Sequence, residues 1–274
     1  MTTDYLIIEI ISLNSEFVLG TDILDQQVSC LWQGRNLLSV SLSGFINYLD
    51  ENNPKKALRV VKGHNKSITA MVIRPDPGSN HKTIYTGSHD GIVTHWDAET
   101  GENDKVSGVC HSNQVSDMTI DGKNIYSTGL DDTVRTISLA TNEYTSQIKM
   151  DSQPRGIACV KDKNCLIVAG FSDLTVLSTS GTKQSVTPVK YEPACVHVHP
   201  SNGDVAVGGG KDSKVHVYSL TGSNLTQKKE LDHRDAITDV KYSPDGTYLA
   251  ASDASRRVVL YNSANYEVSK PVTW

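Results

Sequence analysis

Several ingredients are missing from this chain, and each absence narrows what it does. Cysteine is scarce: five in 274 residues, at Cys30, Cys110, Cys159, Cys165 and Cys195. They are odd in number and scattered, with no CxxC pair, so they read as reduced, half-buried thiols in a cytosolic protein, not as a disulfide framework. Long apolar runs are also missing. The N-terminal MTTDYLIIEIIS holds a short one, but Glu9 interrupts it and no basic stretch precedes it. A bilayer span takes about 20 residues, so the segment reads as a strand, and no membrane or targeting segment is seen elsewhere. Positive charge is not in excess: 26 Lys and Arg face 31 Asp and Glu, a net charge of −5. A nucleic-acid-binding domain is usually basic, so that class is disfavoured. Lys55-Lys56, Lys228-Lys229 and Arg256-Arg257 are pairs, not tracts, and suit a solvated face. There is no GxSxG, no GxGxxG opening a helix and no GxxxxGK[ST]. AVGGGKDS (Ala206 to Ser213) is glycine-rich, but it falls at a turn of the repeat described next.

What is present is an ordinary globular composition, 38% apolar and 21% charged, with enough chain for a sizeable core. It is also repetitive. Sliding Asp90-Gly-Ile-Val-Thr-His-Trp96-Asp97 along the chain finds SGFINYLD, DTVRTISL, DLTVLSTS, DSKVHVYS and SRRVVLYN in frame. The Trp96 place is then taken by Leu49, Ser138, Thr179, Tyr218 and Tyr261. A period of about 40–45 residues built from short strands is the spacing of four-stranded propeller blades. Within a unit, SITAMVIRP, TIYTGS, IVTHWD and DKVSGVC read as strands separated by turn residues such as Asp90-Gly91 and Thr100-Gly101. No window has convincing helical periodicity. The expected fold is all-β, with about six four-stranded blades over residues 15–274. The approximate units are 15–62, 63–110, 111–152, 153–191, 192–232 and 233–274. Residues 1–14 are set apart as an N-terminal segment outside the repeat, read as a strand.

The cluster GSHDGIVTHWDAETGEND (Gly87 to Asp104) has the residues of an active site, but its repetition argues otherwise. A His in the loop leading into a blade recurs with an Asp in the following tight turn: His64 with Asp90, His111 with Asp132, His233 with Asp253. Such a pair can hydrogen-bond, and Thr86 or Ser88 can link His64 to the Trp96 indole, bracing inner strands to outer ones. The expected structural network is therefore His64, Ser88, Asp90, Trp96, His111, Asp132 and His233. Catalysis would need these groups gathered at one place, whereas a repeat distributes them. His197 and His199 in VHVHP share a strand face, but no third metal ligand is placed by the sequence. No catalytic residue, metal or cofactor is expected.

Longer phrases are more specific than the repeat. Leu24 to Ile68, and within it SLSGFINYLD, closely resembles the actin-interacting protein 1 family, also called WD-repeat protein 1. So do YTGSHDGIVTHWDAETGEND, LDDTVRTISL, YEPACVHVHP and AITDVKYSPDGTYLAASDASRRVV, and the likeness runs from about Glu16 to about Tyr266. The resemblance implies WD-repeat propellers that bind actin filaments decorated by ADF/cofilin, promote severing and disassembly, and restrain regrowth. The implied partners are actin filaments and ADF/cofilin, in the cytoplasmic actin cytoskeleton, with no nucleic acid and no membrane. The chain is expected to be most of the family's C-terminal propeller, short of its last repeat, hence an incomplete version of a seven-bladed ring. SEFVLGT (Ser15 to Thr21) is then an extra outer strand, and exposed edges should make the chain less stable than the intact domain. Loop position singles out Asn65, Lys66, Ser112, Asn113 and Arg234 as expected partner contacts. The alternative expectation is a WD-repeat adaptor for a different complex.

Overall fold

The computed structural model describes residues 17, 19, 21–33, 36–50, 52–54, 56–74 and 83–272. MTTDYLIIEIIS and, apart from residues 17, 19 and 21, SEFVLGT lie outside the described residues. Among the described residues, twenty-four strands form six four-stranded antiparallel sheets, each a meander in chain order. The first holds β1 (Gln27–Gln33), β2 (Asn36–Ser41), β3 (Phe45–Leu49) and β4 (Arg59–Lys62). The second holds β5 (Ile68–Ile73), β6 (Thr83–Ser88), β7 (Val93–Asp97) and β8 (Asn103–Lys105). The third holds β9 (Val115–Ile120), β10 (Asn124–Gly129), β11 (Thr133–Ser138) and β12 (Glu143–Lys149). The fourth holds β13 (Pro154–Val160), β14 (Cys165–Gly170), β15 (Asp173–Ser178) and β16 (Lys183–Pro188). The fifth holds β17 (Pro193–Val198), β18 (Asp204–Gly209), β19 (Lys214–Thr221) and β20 (Asn224–Asp232). The sixth holds β21 (Ile237–Tyr242), β22 (Tyr248–Asp253), β23 (Val258–Asn262) and β24 (Val268–Val272). This is the β-propeller class. Among the described residues the only helical pieces are two 3-10 turns, Ile23–Asp25 and Lys161–Lys163.

The strands divide by burial as their sequences require. β14 (CLIVAG) and β18 (DVAVGG) are buried along their whole length, because a strand covered on both faces reads as a continuous small or apolar run. β16 and β12, the last strands of their sheets, are mostly exposed and carry Lys, Gln, Ser and Thr. The chain divides into two compact units, Met1–Val115 with Thr141–Tyr144, and Ser116–Ala140 with Thr145–Trp274. In the first, Leu38, Val40, Ile46 and Tyr48 pack with Ile68, Ile84, Trp96 and Ala98, so the core lies between successive sheets. In the second, the same holds for the third and fourth, fourth and fifth, and fifth and sixth sheets. Gly87 and Gly208 show why small residues end these buried strands. A Cβ on either would come 2.5 Å from the next sheet's inner strand, at Val115 and Ile237 respectively.

Strand pairing refines the repeat register. Ile84 pairs with Trp96, and the matching pairs are Leu37–Leu49, Val205–Tyr218 and Leu249–Tyr261, in the expected frame. In the third and fourth sheets the matching pairs are Ile125–Ile137 and Leu166–Leu177. The Trp96 place there belongs to Ile137 and Leu177, not to Ser138 and Thr179. Both side chains are fully buried. The difference arises in the turns. In the third sheet Asp131 takes the acceptor role of Asp90, receiving the Thr133 hydroxyl at 2.7 Å. Asp132, the residue expected there, instead has φ 60°, in the place filled by Gly91 (φ 83°) and Gly44 (φ 81°). Aspartate is among the few side-chain-bearing residues that adopt this left-handed conformation readily.

Candidate partner-binding loops

The loop leading into the second sheet is anchored by one residue and presents the next two. His64 is buried, and its Nε2 lies 2.7 Å from Thr86 Oγ1 on β6. The same oxygen accepts the Trp96 indole N–H at 2.6 Å. Thr86, not Ser88, is thus the link between imidazole and indole. Ser88 instead donates to Asp90, whose carboxylate also accepts the Ile92 N–H. Burial pushes the His64 imidazole down to about 4, and the Asp90 charge offsets only part of this. His64 is therefore neutral at neutral pH, and it works as a fixed pin. Asp97 serves the turn after β7, where its Oδ1 accepts the N–H groups of Glu99 and Thr100 at 2.8 and 2.7 Å. Asp50 and Asn262 cap the corresponding turns in the first and sixth sheets.

The sixth sheet makes its brace differently. His233 Nδ1 lies 3.1 Å from Asp253 Oδ2, and its Nε2 lies 3.0 Å from the Tyr261 hydroxyl. Both side chains of the His–Asp pair are fully buried. Asp253 stands in register with Ser88, and Ser255 with Asp90, so the Ser and Asp of the second sheet are exchanged here. Asp253 Oδ1 accepts the Ser255 hydroxyl at 2.5 Å and the N–H groups of Ser255 and Arg257. Burial lowers the His233 pKa, and the bond to Asp253 works against that shift. His111 is likewise buried. His197 and His199, the imidazole pair with metal-like spacing, are both engaged in structure. His197 Nδ1 accepts the Tyr242 N–H. His199 Nδ1 accepts two N–H groups, from Ser201 and Asn202, so its Nε2 donates to Gly246 O at 2.9 Å. Among the described residues no group of three or more His, Cys, Asp or Glu is placed to hold a metal.

Next to these pins lie the expected contact residues, all exposed. Asn65 and Lys66 line a shallow concavity of about 370 Å³ together with Leu24, Leu42, Ser43, Ser67 and His89. Its floor is fixed: Ser67 donates to Leu42 O at 2.6 Å, and His89 N donates to Ser67 O at 2.9 Å. The turn between β2 and β3 presses on this loop so closely that any Cβ at Gly44 would clash with Lys66 O. Ser112 and Asn113 occupy the equivalent loop one sheet later, where Gly91 presses on His111 O and Asn113 O. Arg234 belongs to the second unit, beside His233. Sequence reading missed Leu24 and His89. The available signal was an adjacent apolar pair, Ile23 and Leu24, which the structure leaves 82% and 60% exposed.

The WD domain, G-beta repeat family matches residues 55–97 and 225–262. The chain is 47% identical over 261 residues to Actin-interacting protein 1 of Drosophila melanogaster, covering 95% of this chain and 42% of that protein. It is 47% identical over 253 residues to WD repeat-containing protein 1-A of Xenopus laevis, covering 91% and 41%. It is 36% identical over 260 residues to the 66 kDa stress protein of Physarum polycephalum, covering 94% and 42%. The chain thus spans about two-fifths of the length of the curated relatives it matches. A chain in a crystal structure of the mitotic checkpoint complex superposes with a TM-score of 0.74 at 18% identity, covering 86% of this chain and 74% of that one, a likeness of fold alone. Six meander sheets in register and extended identity to these relatives agree: the chain belongs to the actin-interacting protein 1 / WD repeat-containing protein 1 family of WD-repeat proteins.

Proposed function

We propose that this chain is a non-catalytic scaffold that binds actin filaments and acts with ADF/cofilin to promote their severing and disassembly in the cytoplasm. Neither nucleic acid nor membrane is a partner in this reading. The observation that carries it is 47% identity, over 95% of the chain, to a protein named for its interaction with actin. The chemistry of the loops supports it. The histidines and aspartates that looked catalytic in the sequence spend their hydrogen bonds on turns and strand bracing, leaving Asn65, Lys66, Ser112, Asn113 and Arg234 on rigid loops facing solvent. A scaffold of this kind works by differential affinity. Contacts better made on a cofilin-altered filament shift the filament population toward that state and toward breakage.

The test is cosedimentation of the full chain with filaments, with and without cofilin. Cofilin-dependent pelleting, weakened by Lys66→Glu, is the expected result. Pelleting that ignores cofilin, or no pelleting at all, would overturn the reading and leave the adaptor alternative, which a pulldown lacking actin and cofilin would support.

A further inference from the structure

A second, independently built surface lies in the fourth and fifth sheets. Phe171 is 43% exposed at the turn between β14 and β15, where the register requires no aromatic. Across a concavity of about 380 Å³ stand Val189 and Tyr191, in the segment joining β16 to β17. This wall is rigid. Tyr191 stacks flat on His216, with centroids 3.6 Å apart and planes at 6°, and its hydroxyl bonds Tyr218 at 2.8 Å. His216 is itself tethered to Asp212 Oδ2 at 2.8 Å. The segment's ends are tied by Val189 N to Ser172 O and by Gly210 N to Glu192 O. An aromatic surface already held in place costs a ligand little ordering entropy.

The charges around it are unbalanced. Lys211 is paired with Glu192 at 2.5 Å, and Asp212 Oδ2 is held 2.8 Å from His216 Nε2. Lys190 is exposed and makes no ion pair among the described residues. Arg155 rests its guanidinium on the Phe171 ring, 5.1 Å from the centroid, and its Nε is buried without a hydrogen-bond partner. Lys190, Lys211 and Arg155 outnumber Glu192 and Asp212 beside the tethered Tyr191 ring. This local excess of positive charge, on a chain of net charge −5, favours an occupant that is apolar at its centre and anionic at its flanks. We propose that this groove docks an extended peptide segment of a partner protein, one presenting an aromatic side chain between acidic residues. The groove uses loops other than those assigned to filaments and does not rest on the filament reading.

The probe is a fluorescein-labelled heptapeptide with a central tryptophan flanked on each side by three glutamates, titrated with the full chain and followed by anisotropy. Two comparison peptides replace the glutamates by lysines or the tryptophan by alanine. The acidic tryptophan peptide should bind saturably, at least about tenfold tighter than either comparison. Phe171→Ala and Lys190→Glu should each weaken it about tenfold, while Val109→Ala, at an exposed apolar side chain elsewhere, leaves it unchanged. Phe171 and Lys190 are solvent-facing, and unchanged thermal midpoints establish that both variants fold. No saturation up to about 1 mM, equal affinity for the lysine peptide, or indifference to Phe171→Ala would each overturn the proposal.

Discussion

Replacing Thr86 by valine keeps the size and branching of a side chain that is completely buried, and removes one oxygen. That oxygen serves two buried partners, the His64 imidazole at 2.7 Å and the Trp96 indole N–H at 2.6 Å. Neither reaches solvent, so each is left with an unmade hydrogen bond costing about 1–3 kcal/mol. The added methyl recovers little in a site already packed. Thr86→Val should therefore destabilise the chain by about 2–4 kcal/mol. Urea unfolding followed by tryptophan fluorescence and circular dichroism reads this as a lower midpoint at unchanged slope. A cycle with Trp96→Phe sharpens the test. Once the indole N–H is gone, losing the hydroxyl strands one partner instead of two, so the two costs should fall short of additivity by about 1–2 kcal/mol. A loss below about 0.5 kcal/mol, or strict additivity, would refute the bracing role of this network.

Three further outcomes follow from the same geometry. His64 is held down to about 4 in the fold against 6.5 unfolded. The unfolded chain therefore binds the proton more strongly, and stability that is full above about pH 6.5 is lost as pH falls toward 4, by up to about 3 kcal/mol. Urea midpoints from pH 7.5 to 4.5 should fall more steeply for the parent than for His64→Asn, and parallel curves would contradict the shift. Gly91→Ala should cost more than about 2 kcal/mol, because φ is 83° and the new methyl meets His111 O; Gly222→Ala, at φ 61° with nothing within 4 Å, should cost about 1 kcal/mol. Equal unfolding midpoints for the two would be inconsistent with that contact. Leu177→Ala should cost about 2–5 kcal/mol, since Leu177 is fully buried, and Thr179→Ala less than about 1 kcal/mol. The reverse order in thermal or urea unfolding would restore Thr179 to the core position.

The sequence by itself determined the class of fold, because strand formation, turn placement and burial all leave local marks that a repeat multiplies. Alternating β-branched stretches, Asp-Gly and Pro-Asp-Gly turns and a period of about 40–45 residues suffice for six meander sheets. The long phrases around Trp96 sufficed for the family. The frame was legible to the residue where the turn before the third strand carries a glycine, as at Gly44 and Gly91. It held too at the glycine-free turns of Ser213 and Arg256. It slipped where Asp131-Asp132 offered two adjacent acceptors and where Phe171, not an acidic residue, stands six residues before Leu177, so that Asp173 drew the template two residues on. Only the tertiary structure decided which hydroxyl joins His64 to Trp96, since Thr86 and Ser88 sit two apart on one strand and face the same way. Only it showed that Asp253 and Ser255 exchange the roles of Ser88 and Asp90, a substitution of partners that preserves the network while changing the letters. And only it brought Leu24 and His89 to Asn65 and Lys66, or Phe171 to Tyr191. These neighbours come from different turns, and which turns meet depends on how successive sheets pack, a property with no period in the sequence.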